Sequence, residues 1–299
     1  MPVTVELPSD EATRVHALID RLGLPGLIDV HTHFMPKSVL DKVWAYFDSV
    51  GPLTGREWGI AYRFDEAERV AKLRELGVVG WSSLNYPHKP GMAQWLNQWS
   101  ADFAAAHPDC LQSATFYPEP GAGDYVAEAI ASGAEIFKAH VQVGAYDPTD
   151  DLLDGVWASL QESGVPVVLH AGSGPTPGEF TGPQRVRSVL ERFPGLKLII
   201  AHMGMPEYAE FLDLCDEFAG VHLDTTMVFT QFVENDMPFP KDRLGDLVRL
   251  GDRVLLGTDF PNIPYPYVEA LDAIVGLGLG DHWCRGVLHD NAARLFGRV

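Results

Sequence analysis

Near-continuous apolar runs of strand length recur along this 299-residue chain, and a segment of helical period follows each of them. Those two observations, with glycines set just past several helical segments, predict an α/β fold. The expected architecture is a single (β/α)8 barrel over residues 1–299, with an N-terminal helix and an insertion after the first strand. The length suits one such barrel.

The apolar runs cover residues 27–34, 78–85, 111–118, 136–143, 165–172, 197–204, 221–229 and 253–261. Runs such as VPVVLH and KLIIAH are apolar on both faces, as buried parallel strands are. Helical period follows at 65–76, 92–107, 124–132, 150–163, 184–193, 207–218, 243–250 and 268–277. Gly77, Gly133 and Gly164 stand where a helix C-terminal glycine belongs. Strict alternation implies parallel pairing, and eight such units with right-handed crossovers close a barrel of the TIM type. Residues 9–23 read as an extra helix. Residues 35–64 read as an insertion holding Trp44, Phe47, Trp58 and Tyr62; it leaves the C-terminal end of strand 1, either over the active face or as a packing flap.

A formal net charge of −19 disfavours nucleic acid and anionic membrane as partners. It leaves a small-molecule substrate open, anionic ones included, because a metal ion reverses the field inside a pocket. Cys110, Cys215 and Cys284 are too scattered for a disulfide frame or a zinc cage and read as reduced thiols of a cytoplasmic protein. The acidic N-terminus reads as no signal peptide, and no stretch approaches the ~18–20 apolar residues of a membrane span.

His31 and His33 are two residues apart, so strand alternation sends both imidazoles to one face. His170, His202 and Asp259 close the fifth, sixth and eighth runs, at the strand ends where barrel active sites assemble. Burying such a set without a ligand is costly. Lys138, with His140 two residues on, offers a substrate-binding pair or simple barrel pairing. Asp29 either orients a ligand histidine or serves as an internal hydrogen-bond partner. Asp224 and Thr225 end the seventh run, and Asn262, Tyr265 and Tyr267 form a proline-rich loop at the mouth. Residues 172–182 are a Gly/Pro loop with the character of a lid. Arg185 and Arg187 read as solvent-facing charges, and the other histidines as surface or packing residues.

The motifs DVHTH (29–33), LHAG (169–172), IAHMG (200–204), GTDFP (257–261) and DNAARLFG (290–297) occur in order over nearly the whole chain. The chain thereby resembles the amidohydrolase superfamily, in the branch that includes aminocarboxymuconate-semialdehyde decarboxylase-like enzymes. That resemblance implies His31, His33, His170 and Asp259 as metal ligands, His202 as the acid/base or substrate-polarising residue, Lys138 as a metal bridge if the site holds two metals as in binuclear members, and a homodimer. Three imidazoles and a carboxylate suit one divalent metal, Zn²⁺ first, with Mn²⁺ or Fe²⁺ fitting similar donors. Asp259 and His202 are the groups placed to take a proton from water.

The expected function is a metal-dependent hydrolase in which activated water attacks the carbonyl-type carbon of a small amide, ester or lactone. The alternatives are a non-oxidative decarboxylase or hydratase of an aromatic or unsaturated acid, and a barrel that only binds a ligand. No arginine in the sequence is clearly placed to clamp a carboxylate, which favours the hydrolase.

Overall fold

The computed structural model describes residues 5–51, 55 and 57–298; parts of the insertion, 52–54 and 56, lie outside that description. The elements run α1 Glu11–Leu22, β1 Leu27–Asp29, α2 Lys37–Ser49, α3 Glu66–Glu75, β2 Val78–Ser82 and α4 Ala93–Ala106. Next come β3 Cys110–Leu111, β4 Ser113–Thr115, α5 Ala122–Ala131, β5 Ile136–His140, α6 Asp154–Ser163, β6 Val167–His170 and α7 Pro183–Arg192. Then follow β7 Leu198–Ile200, α8 Tyr208–Glu217, β8 Val221–Asp224, α9 Leu244–Arg249, β9 Val254–Leu255 and α10 Tyr267–Gly276. The fold is α/β, and its ladders are parallel. Contacts divide the chain into two compact units, Met1–Trp81 with Thr225–Val299, and Ser82–Asp224.

In the first unit, β1 pairs with β2 in parallel, Asp29 lying opposite Trp81. The last apolar run meets the first: Val30 N donates to Leu256 O, Asp259 N to His31 O and His33 N to Phe260 O. Helix α1 buries Val15, Ile19 and Leu22, one stripe of its surface. Helix α3 starts on a reciprocal capping box, Asp65 accepting from Glu68 N and Glu68 from Asp65 N, an arrangement worth about 1 kcal/mol. Three short helical segments, Asp281–Arg285, Gly286–Asp290 and Asn291–Leu295, follow α10; helical period at 268–277 gave no sign of them. Their Asn291 explains the DNAARLFG motif, since its buried amide donates to Gly251 O and Val254 O and so fixes the start of β9.

In the second unit, β4, β5, β6, β7 and β8 lie side by side in chain order, with α5, α6, α7 and α8 as crossovers. The expected third strand is split. Gln112 gives its N–H to the Glu135 carboxylate, which separates β3 from β4. Gly77, Gly133 and Gly164 have the positive φ expected of helix-terminating glycines (74, 96 and 68°). Among the described residues no helix is long and apolar enough to cross a membrane.

The strands are shorter than the apolar runs. β1 stops at Asp29 and β7 at Ile200, so His31, His33 and His202 lie beyond strand ends rather than on them. Asp29 Oδ1 takes the His31 N–H at 3.1 Å, so a side chain rather than a neighbouring strand accepts from that donor.

Candidate metal centre

In the first unit, one nitrogen each of His31 and His33 and a carboxylate oxygen of Asp259 all lie within 4.8 Å of one another. His33 Nε2 is 2.8 Å from Asp259 Oδ1, and His31 Nε2 is 3.7 Å from the same oxygen. Both histidines are buried, and the Asp259 side chain is 14 % exposed. Strand alternation was expected to bring the two rings together. They do converge, centroids 5.2 Å apart, on extended chain held by the Thr32–Phe260 bridge.

The other ring nitrogen of His31, Nδ1, is 3.0 Å from Thr226 Oγ1. This contact fixes the ring plane and leaves Nε2 directed at Asp259. Asp259 sits at φ 75°, a left-handed conformation uncommon outside glycine that aspartate, like asparagine, adopts more readily than most residues. Its N–H donates to His31 O, and its carbonyl accepts from Asn262 N. Asn262 in turn accepts from two tryptophans of the insertion, Trp44 Nε1 at Oδ1 (3.0 Å) and Trp58 Nε1 at O (2.7 Å). The insertion therefore bears on the Asp259 turn.

Asp29 is fully buried. Its Oδ1 accepts from His31 N, and its Oδ2 accepts from Thr258 Oγ1 (2.6 Å) and from the Tyr267 hydroxyl (3.0 Å). Asp29 thus satisfies internal donors, one of the two readings open for it, and one of those donors is the backbone N–H of His31. Tyr267, expected in the proline-rich loop, is the buried first residue of α10 and donates to Asp29 at the end of β1.

In the second unit, Lys138 is buried in mid-strand, opposite Thr115 on β4 and Val168 on β6. His140 and His170 are partners in the β5–β6 register, and their rings stack at 4.0 Å with an interplanar angle of 12°. His202 meets His170 edge-on at 4.8 Å. The predicted His140, His170 and His202 are thus one cluster, with Tyr86 against His140.

Hydrogen bonds assign the tautomers here. Val143 N can only donate, so His140 Nδ1 accepts and the proton of a neutral ring sits on Nε2. Gly174 O can only accept, so His170 Nε2 donates and its lone pair is on Nδ1. His202 is held at φ 54° by Asp224, whose Oδ1 accepts its N–H at 2.8 Å. The motif glycines are steric requirements. A Cβ on Gly172 would come within 2.4 Å of Met205 O, and one on Gly204, at φ 77°, within 1.9 Å of the Phe211 ring.

Thr226, Trp44 and Trp58 as supports, and Thr258 beside Asp259, escaped sequence reasoning. Thr226 follows the expected Asp224 and Thr225, and its parity with Asp224 was the available signal. Arg185 and Arg187, expected as solvent-facing charges, are part-exposed and pair with Asp147 and Glu217.

The amidohydrolase family model matches residues 28–298, so the chain belongs to that family. No protein of curated function matches its sequence. Among solved structures it is similar to an uncharacterized TIM-barrel protein of Bordetella bronchiseptica, with TM-score 0.74 and 19 % identity over 91 % of this chain and 98 % of that one. It is similar also to 5-carboxyvanillate decarboxylase of Novosphingobium aromaticivorans, complexed with manganese and 4-hydroxy-3-methoxy-5-nitrobenzoic acid (0.63, 15 %, 92 % and 97 %). A third is a probable 2-pyrone-4,6-dicarboxylic acid hydrolase of Acinetobacter baumannii with citric acid bound (0.59, 14 %, 91 % and 99 %). These likenesses give the chain the TIM-barrel fold.

Proposed function

We propose that the protein is a metal-dependent hydrolase of a small amide, ester or lactone, acting as one domain over 1–299. The observation that carries the metal is the convergence of His31, His33 and Asp259. These donors fit a divalent cation: two buried imidazoles face one carboxylate, and Thr226 steadies one ring from behind. His170 is the fourth ligand in this reading, through Nδ1, on the strength of the family's LHAG motif and the donation of Nε2 to Gly174. When bound, Zn²⁺ supplies Lewis-acid polarisation and water acidified toward a pKa of ~7.

The chain's own residues supply the rest. Asp259 takes a proton at its carboxylate. His202 returns one to the leaving group or donates to the oxygen that becomes negative. His140 offers its Nε2–H to a substrate oxygen, and buried Lys138 steadies the same side of the substrate. Manganese in the decarboxylase neighbour keeps Mn²⁺ beside Zn²⁺ as a resident ion.

The alternative, decarboxylation of an aromatic acid, is favoured by the likeness to 5-carboxyvanillate decarboxylase. Against it, Arg63, Arg185 and Arg187 already sit on carboxylates, and buried Arg69 lies over the rings of Phe34 and Trp44. Turnover in ¹⁸O-labelled water decides. Label in the product supports hydrolysis; release of CO₂ with no label in the product overturns it.

A further inference from the structure

Asp29 touches both segments that carry the triad. Its Oδ1 holds the backbone of His31, and its Oδ2 holds Thr258, the residue before Asp259. The third donor, the Tyr267 hydroxyl, reaches Asp29 from the first residue of α10. Where Tyr267 points is therefore set by where α10 begins.

That beginning is fixed from outside the helix. The N-cap residue is Pro266, which provides no side-chain cap. The orphan N–H of Tyr267 donates instead to the Tyr62 hydroxyl, at 2.6 Å, and that of Val268 to Glu11 Oε1, at 3.4 Å. Tyr62 then donates its own proton to Glu11 Oε1. Glu11 comes from α1, ahead of residue 28, where the family match begins. It is 2 % exposed, and its second oxygen, Oε2, has no partner. Burying a carboxylate with an unmatched oxygen is costly. What offsets that cost in this fold is the closed start of α10. Burial, reinforced by the neighbouring carboxylates, pushes the Tyr62 and Tyr267 phenols well above their ordinary range, so both remain protonated donors.

We infer that Glu11, Tyr62 and Tyr267 are positioning residues for the metal centre, setting its affinity and geometry through Asp29. The inference rests on the metal-centre reading above. It gives the N-terminal helix a part in cation binding, although no residue of that helix touches a ligand.

The test uses the full chain, loaded with Zn²⁺ or Co²⁺ alone. Zinc affinity is measured by chelator competition, and the ligand field by visible absorption of the cobalt form. Tyr267→Phe should weaken zinc binding about tenfold and move the cobalt bands. Tyr62→Phe and Glu11→Gln should act in the same direction but less, on the order of threefold, and should add nothing to Tyr267→Phe in the double variants, because they work through it. Tyr125→Phe removes a buried phenol hydrogen-bonded with Tyr117 and Glu119 in the other unit, and it should leave both readouts unchanged. A folded Tyr267→Phe with unaltered affinity and spectrum overturns the inference, as does an equal effect from Tyr125→Phe. If Tyr267→Phe does not fold, Glu11→Gln and Tyr62→Phe decide by the same readouts. Wild-type protein that takes up neither ion overturns the metal-centre reading itself, and the inference with it.

Discussion

Replacing Thr226 by valine isolates one hydrogen bond behind one proposed ligand. The side chain is fully buried, and Oγ1 lies 3.0 Å from His31 Nδ1. Valine fills the same volume with a methyl group in place of the hydroxyl. His31 is 1 % exposed, so water does not restore the lost contact. Removing one partner of a buried polar atom costs about 1–3 kcal/mol. Not all of that reaches affinity. The part common to empty and loaded protein lowers the stability of both. Only the difference weakens binding, and it arises because a cation on Nε2 polarises the ring and strengthens the bond at Nδ1. Partners that orient ligands in this way are worth about 10–100-fold in affinity. The expected loss is therefore about tenfold, equivalent to about 1.4 kcal/mol.

The assay is zinc competition against a chelator, run beside thermal melts in excess chelator and in excess zinc. Thr226→Val should melt earlier in both media, and by more with zinc present. Thr226→Ser, which keeps the hydroxyl, should recover most of the affinity. A folded valine variant with wild-type zinc affinity would refute the reasoning, because His31 would then need no support at Nδ1.

Three further outcomes are expected. His202→Asn should lower turnover by about 10²–10⁴-fold while metal content, read by elemental analysis, stays at the wild-type level. Gly204→Ala should destabilise by about 2–5 kcal/mol in urea unfolding, combining a left-handed φ with a Cβ driven into Phe211. Hydrogen bonds from Arg243 and then Arg249 hold the Asp246 carboxyl below its ordinary range. A carboxyl so depressed stabilises the fold above its unfolded pKa and loses that contribution as pH falls through its folded one. Asp246→Asn should thus flatten the acid side of the stability profile, by no more than about 1 kcal/mol because the pair is partly solvated.

The helices that follow the apolar runs were legible almost to the residue because burial follows the helical period: 65–76 became Glu66–Glu75, and 207–218 became Tyr208–Glu217, whereas Lys37–Ser49 in the insertion and the C-terminal segments were not. The strand ends were not, because apolar runs continue past the point where side chains take over the backbone donors. Asp29 captures the His31 N–H, and Asp224 captures that of His202. The convergence of His31, His33 and Asp259 was anticipated from position alone, since strand ends of one barrel share a mouth. Their supports were not. Thr226 reaches His31 across 195 residues, and Tyr62 reaches Tyr267 across 205. No local pattern encodes such pairs, whereas the period of a helix is written in adjacent turns.

The same device appears in each unit. An aspartate ending a strand accepts, through Oδ1, the backbone N–H of a histidine just beyond a strand end: Asp29 for His31 at 3.1 Å, Asp224 for His202 at 2.8 Å. A second feature accompanies it. Of the six non-glycine residues with positive φ among those described, two are Asp259 and His202, the groups assigned to move protons. Each such conformation costs about 1–3 kcal/mol and persists only where surrounding bonds over-determine it. Asp259 is bracketed by His31 O and Asn262 N, with two tryptophans on Asn262. His202 is bracketed by Asp224 and by Met205 N on its carbonyl. Relaxing either residue into ordinary extended backbone would swing its side chain away and break those bonds. The fold thus holds both of its proposed proton carriers by their backbones.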